Sequence, residues 1–197
     1  MKIGILALQG SVEAHEKKLQ ELQVDSKQIR QASDLDGING LIIPGGESTT
    51  LIHLLKINQL WDPLINFSKS SPLFGTCAGA ILIAKSVIGT KQPTLNLMDV
   101  QIARNAYGRQ IDSFISLIYP APSWHSKDPI EGVFIRAPKV IEFGPHVQPL
   151  FRLAEDCVLL QQDHYLISTF HPELTSNNVI HRYFINLCLD SKKKVKS

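Results

Sequence analysis

A cysteine, a histidine and a glutamate carry the sharpest chemistry in this sequence. Cys77 stands in the run Gly75-Thr-Cys-Ala-Gly79, and His171 and Glu173 follow the apolar run Tyr165–Phe170. A thiol is a weak nucleophile until deprotonated; with a free pKa near ~8.5, only a few per cent is thiolate at neutral pH. A histidine within hydrogen-bond reach can take that proton and later give it to a leaving group. A carboxylate on its other nitrogen fixes tautomer and orientation. Residues two apart in an extended segment point the same way, which would pair His171 with Glu173, and Pro172 limits the backbone between them. Each residue also has an ordinary reading: a buried thiol in a glycine-flanked turn, a histidine at a strand end.

Acyl chemistry needs donors for a developing oxyanion. Pro44-Gly-Gly-Glu-Ser48 ends one apolar run and precedes a helical pattern, and its glycines let backbone N–H groups approach a ligand. One N–H from this loop, at Gly46, and one from Ala78 would form a two-donor hole. The alternative is an ordinary βα turn; a phosphate loop is disfavoured because no Gly-Lys-Ser/Thr follows. Arg104 and Arg136 end short strand-like runs and could hold a substrate carboxylate in a guanidinium fork, or pair at the surface. His15, His53, His125, His146, His164 and His181 lack metal-ligand spacing and read as structural, so no metal is expected. Trp61 and Trp124 read as packing residues.

These groups need a scaffold. Lys2–Leu8 is an apolar run ending in Gln9-Gly-Ser11, followed by helical spacing over Val12–Leu22. A weaker strand near Val24–Ile29 leads to Gly40–Pro44, then a helix over Ser48–Leu60 with Ser48 or Thr49 as N-cap. Leu73–Gly75 reads as the strand before Cys77 and Ala78–Val87 as the helix after it, with Cys77 on the sharp turn between them. Such a turn places the thiol at a helix N-terminus, which favours an anion. Alternating strand and helix predict a parallel sheet covered on both faces. The second half instead offers short strands at Met98–Ala103, Ser113–Ile118, Gly132–Ile135, Val140–Phe143, Cys157–Gln161 and Tyr165–Phe170, before a final helix over about Asn178–Leu189. The expected fold class is therefore α/β: a three-layer, mostly parallel central sheet with helices on both faces and antiparallel additions.

Composition sets the bounds. A chain of 197 residues with a formal net charge of +2 suits one domain over 1–197 and offers no strong field for nucleic acid. Residues 191–197, Ser-Lys-Lys-Lys-Val-Lys-Ser, read as a flexible basic tail. Cys77, Cys157 and Cys188 are an odd, widely spaced set without a C-x-x-C, which fits a reducing cytoplasm. No apolar run reaches membrane-spanning length and no signal-peptide pattern opens the chain, so a soluble cytoplasmic protein is expected.

Read together, Gly45-Gly-Glu-Ser-Thr-Thr50, Gly75-Thr-Cys-Ala-Gly79 and Phe170-His-Pro-Glu-Leu174 resemble a class I (triad-type) glutamine amidotransferase. Ile3–Gly10, Arg104-Asn-Ala-Tyr-Gly-Arg-Gln110 with Asp112-Ser-Phe114, and Val133–Pro138 resemble in particular the glutaminase subunits of pyridoxal 5′-phosphate synthases. The resemblance spans nearly the whole chain. It implies hydrolysis of L-glutamine to glutamate and ammonia, with Cys77 as nucleophile, His171 as general base then acid, and Glu173 as its orienter. It maps the oxyanion hole onto the Gly46 and Ala78 amides, and glutamine contacts onto Gly46, Glu47, Ser48, Arg104, Ile135 and Arg136. The implied partner is a (β/α)8-barrel synthase subunit in a large hetero-oligomer, which receives the ammonia and completes the oxyanion hole on docking. No cofactor is implied for this subunit, because pyridoxal phosphate is the complex's product. An amidotransferase of another pathway, or a γ-glutamyl hydrolase-like cysteine hydrolase, is the competing reading. Two departures from the family pattern stand out: Ala80-Ile-Leu-Ile83 after the cysteine turn, where a larger residue usually follows, and the loop Tyr119–Asp128.

Overall fold

The structure is a computed structural model that describes residues 1–104, 106 and 113–196. Its parallel core is built from β1 (Lys2–Leu6), β2 (Asp25–Ile29), β3 (Leu41–Ile43) and β4 (Leu73–Thr76), with β5 (Ala84–Val87) and β6 (Met98–Ala103) following apart from it. The later strands are β7 (Ser113–Pro120), β8 (Ile130–Ile135), β9 (Lys139–Phe143), β10 (Gln148–Leu153), β11 (Asp156–Gln162) and β12 (Tyr165–Ser168). Helices are α1 (Val12–Glu21), α2 (Ser48–Ile57), α3 (Trp61–Ser68), α4 (Ala78–Ile83) and α5 (Val179–Lys196).

The main sheet runs β2-β1-β3-β4-β12-β11-β10-β7-β8, and β5-β6-β9 form a smaller sheet. The ladders from β2 to β12 are parallel and those from β12 to β8 antiparallel. Alternate side chains of one strand feed different cores. Leu41 and Ile43 join α2, α3 and α4 residues such as Leu55, Leu64 and Ile81, whereas Ile42 joins Leu19 of α1 and Phe184 of α5. Burial on both faces is why these strands read as unbroken apolar runs. It also fixes the register of Leu41↔Leu73, Ile42↔Phe74 and Ile43↔Gly75, since a slip of one residue would exchange the two cores. The carboxyl ends of β1, β3, β4 and β12 consequently open on one edge, where ligands of open α/β sheets bind.

Several local expectations need correction. The helix after Cys77 stops at Ile83, not Val87, because Ala84 turns extended (ψ 159°) and Ala84–Val87 pairs with β6. Periodicity cannot separate helix from strand in so short an apolar run. The N-cap of α2 is Glu47 rather than Ser48 or Thr49; its longer carboxylate accepts from the Thr49 and Thr50 amides. That helix ends at Ile57, and a separate helix, α3, follows. Strand β10 has no counterpart among the expected strands because Pro149 interrupts it; the ladder to β11 shifts register beside that proline. Helix α5 runs to Lys196 rather than Leu189, through most of the segment expected as a tail. Trp124, in the loop after β7, is buried between Phe151 and Tyr183, at ring-centroid distances of 4.9 and 4.7 Å, as a packing residue should be.

Candidate active site

Cys77 occupies the sharp turn between β4 and α4 with φ 49° and ψ −102°, a conformation that L-residues rarely adopt. Its amide donates to the Ser168 carbonyl of β12 at 2.8 Å, which pins the strained turn to the neighbouring strand. The next turn of chain presses on the sheet so closely that a Cβ at Gly79 would stand 2.1 Å from the Ile43 carbonyl oxygen. Only glycine fits there, so α4 lies directly on β3 and presents Cys77 at the sheet edge. With six residues, α4 is a short helix, so the anion-favouring dipole expected from sequence is a smaller part of the electrostatics than the neighbouring imidazole.

That imidazole is His171. Its amide donates to the Val133 carbonyl of β8 at 2.8 Å, and its Nδ1 lies 2.7 Å from Glu173 Oε1. Glu173 comes into place differently from the strand alternation expected. β12 ends at Ser168, and Pro172–Leu174 forms a 3-10 turn that folds the carboxylate back onto the ring. His171 also hydrogen-bonds the Cys77 sulfur. Burial opposes charge on the ring, but the Cys77 and Glu173 hydrogen bonds and their negative character outweigh it, raising its pKa to about 10. His171 thus holds a proton at neutral pH beside the sulfur.

A cavity of about 410 Å³ opens in front of the sulfur, lined by Gly10, Ser11, Gly45, Gly46, Glu47, Ser48, Ile81, Arg104, Ile135 and Arg136. Its size suits a small polar ligand. The Ile135 carbonyl lies 4.0 Å from Cys77 Sγ, and Arg136 follows at φ 41°. Arg104 Nη2 pairs with Glu47 Oε1 at 2.9 Å, and Arg104 Nη1 donates to Gln92 Oε1 at 2.9 Å. Ser48 Oγ donates to the same Gln92 oxygen at 3.2 Å. Desolvation works against the Glu47 carboxylate, yet the hydrogen bonds from Thr49 and Thr50 dominate and lower its pKa to about 2. Its side chain is therefore committed to the helix cap and to Arg104.

The match to known proteins agrees with this geometry. The model of the SNO glutamine amidotransferase family matches residues 5–190. The chain belongs to that family. Among relatives of this SNO-family chain, the pyridoxal 5′-phosphate synthase subunit PdxT of Desulforamulus reducens is 45% identical over 188 residues, 95% of this chain and 99% of that protein. PdxT of Carboxydothermus hydrogenoformans is 47% identical over 187 residues, 94% and 96% of the two chains. A crystal structure of a glutamine amidotransferase superposes with a TM-score of 0.88 at 40% identity, covering 94% of this chain and 98% of that one. A glutamine amidotransferase of Thermotoga maritima shares the fold, with a TM-score of 0.61 at 12% identity over 100% and 86% of the two chains.

In this SNO-family member, Cys77, His171, Gly46, Glu47, Ser48, Arg104, Ile135 and Arg136 all reach one cavity, with Glu173 behind His171 and Ala78 next to Cys77. Of the block Arg104–Gln110 with Asp112, only Arg104 and Ala106 lie within the described residues; Asn105 and residues 107–112 fall outside them. The Gln9-Gly10-Ser11 segment after β1, to which the sequence assigns no role, also reaches the site, with Gly10 and Ser11 lining the cavity. It does so because β1 neighbours β3, and Gln9 Nε2 donates to the Glu47 carbonyl at 2.7 Å. Gln92 escapes sequence reasoning altogether, since a lone glutamine in a loop carries no signal. Among the described residues no group of His, Cys, Asp or Glu could hold a metal ion. No helix among them is long and apolar enough to cross a membrane.

Proposed function

We propose that the chain is the glutaminase of a pyridoxal 5′-phosphate synthase, hydrolysing L-glutamine to L-glutamate and ammonia. Its PdxT relatives are named as subunits of that synthase. The observation that carries the reaction is the buried row of Cys77, His171 and Glu173, with the His171–Glu173 bond at 2.7 Å, facing a cavity lined by two arginines.

In this reading the Cys77 sulfur, its proton held by His171, attacks the side-chain amide carbon of glutamine. The tetrahedral oxyanion is received by the Gly46 and Ala78 amides. Ala78 opens α4, so its N–H has no intrahelical acceptor, and the Cys77 amide is already taken by Ser168. Collapse breaks the C–N bond, His171 protonates the departing ammonia, and a thioester remains. Water, deprotonated by His171, then attacks the thioester; glutamate leaves and the thiol returns. Glu173 keeps the ring oriented throughout. Arg136 binds the glutamine carboxylate, with Arg104, Ser48, Glu47, Gly46 and Ile135 completing the pocket. Among the described residues Arg136 makes no ion pair, which leaves its guanidinium open to a ligand.

The partner is a (β/α)8-barrel synthase subunit in a large cytoplasmic hetero-oligomer. Residues 1–197 act in it as one glutaminase unit, and docking completes the oxyanion hole. The test measures glutamate release from glutamine with and without that synthase barrel, for wild type and Cys77→Ala. Synthase-dependent turnover abolished in the variant is expected. Equal turnover without the partner sinks the activation step, and no turnover in the complex sinks the assignment.

A further inference from the structure

Behind Glu173 lies a buried polar chain that the reaction above does not use. His15 of α1 and His181 of α5 are both fully buried, and neither lines the cavity. His15 Nε2 stands 3.6 Å from Glu173 Oε2 and 3.4 Å from Thr76 Oγ1. Its Nδ1 lies 2.9 Å from His181 Nε2. Glu173 uses Oε1 for His171, and Oε2 has no hydrogen-bond partner among the described residues; His15 Nε2, at 3.6 Å, faces it just beyond hydrogen-bond distance.

The proton positions follow from satisfaction of buried groups. A carboxylate only accepts, so the His15 nitrogen facing it must be the N–H. With Nε2 protonated, neutral His15 accepts at Nδ1 from His181 Nε2–H. His181 Nδ1, which has no partner among the described residues, is then a bare acceptor. The opposite arrangement would bury an unpaired His181 N–H and point a lone pair at a carboxylate, which is the costlier choice.

We propose that His15 and His181 are positioning residues of the triad, forming a neutral relay whose His15 N–H holds the second oxygen of Glu173 and so fixes its first on His171. The inference rests on the triad reading above. Neutrality matters, because a charged His15 would compete with His171 for the same carboxylate. Burial first, then the neighbouring His181 and His171, lowers the His15 pKa well below its ordinary value. Burial, with Lys18 nearby, lowers that of His181 to about 3. The other groups facing the relay are Thr76, whose hydroxyl rotates to suit, and the ring of Phe74, 5.9 Å from that of His181.

The test compares the full-length wild type with His15→Leu, His15→Gln and His181→Phe. It measures glutamine turnover in the presence of the synthase partner, together with the pH profile of Cys77 alkylation by iodoacetamide. His15→Leu removes the donor; His15→Gln restores an amide N–H near the Nε2 position. We expect kcat to fall on the order of a hundredfold in His15→Leu with little change in KM, as for misplaced catalytic groups generally. The alkylation profile moves upward in pH, and His15→Gln recovers most of both properties. His181→Phe keeps a ring against Phe74 and shows a smaller effect in the same direction. It carries the test by itself if His15→Leu does not fold. Folded variants whose kcat and alkylation profile superimpose on wild type overturn the proposal. A shifted profile in a protein without glutamine turnover supports the relay and removes only the substrate assignment.

Discussion

His171 lies against the backbone of Gly45 so closely that a Cβ there would stand 2.5 Å from its Cε1 and 3.2 Å from its Nδ1. The same Cβ would come within 3.2 Å of Cys77 Cβ. Glycine at this position lets His171 and Cys77 meet over a backbone that also lines the cavity.

Gly45→Ala should therefore inactivate without unfolding. The added methyl pushes the ring away from Cys77 or off Glu173, and a displacement near ~1 Å costs roughly a hundredfold in rate. Steady-state glutaminase assays should show this loss in kcat, while the thermal midpoint moves by only a few degrees. A variant with wild-type kcat would mean that the loop yields instead of the ring.

Much of this site is legible in the sequence because its residues end consecutive sheet neighbours. Gly45-Gly46, Cys77 and His171 each follow an apolar run, and the parallel order β1-β3-β4-β12 brings all three ends to one edge. Glu173 is legible for a partly wrong reason, since a 3-10 turn rather than strand alternation delivers it. Gln92 is invisible, because its role depends on a loop folding over Arg104 and Ser48. His15 and His181 lack metal-ligand spacing and so read as merely structural. Their contact spans 166 positions and exists only because α1 and α5 pack on the same face of the sheet.

The cavity's polar groups predict separable binding effects. Arg136→Met removes a guanidinium that makes no ion pair among the described residues and should raise KM for glutamine by about ten- to a hundredfold, in line with loss of a charge-assisted hydrogen bond, with kcat largely kept. Gln92→Ala releases Arg104 and Ser48 without touching the triad, so a smaller rise in KM is expected. Initial-rate kinetics over a glutamine series separate the two parameters. A fall in kcat alone for Arg136→Met would reassign it from binding to the transition state.

Acid should weaken the fold earlier than the carboxylates alone would. A histidine whose folded pKa is depressed contributes stability that is complete above its unfolded value near ~6.5 and lost as pH falls below it. For His181 that loss continues toward about 3, and His15 adds in the same sense. Each costs up to about 1.4 kcal/mol per pH unit in this range. Between about pH 6.5 and 5.5 the depressed carboxylates, Glu47 among them, are still almost fully ionised in folded and unfolded chains, so this window belongs to the histidines. Urea unfolding from about pH 7 to 5.5 should show falling stability, with a shallower slope in His181→Phe. Equal slopes would mean that the relay is not buried neutral.

The alkaline side belongs to His171. Its folded pKa is raised to about 10 against an ordinary 6.5, so its contribution is complete below about 6.5 and is lost as pH rises toward 10. After burial, which opposes the shift, the hydrogen bond to Cys77 is the largest cause and the Glu173 bond the next. Cys77→Ala should therefore bring the His171 midpoint down and close the window from its upper end, while Glu173 still holds part of the shift. The ring proton on Cε1, followed by NMR from about pH 5 to 11, reads this directly in wild type and variant. A wild-type midpoint near ~6.5, or one indifferent to the sulfur, would mean that His171 does not hold the Cys77 proton at rest, and proton transfer would then have to accompany substrate attack.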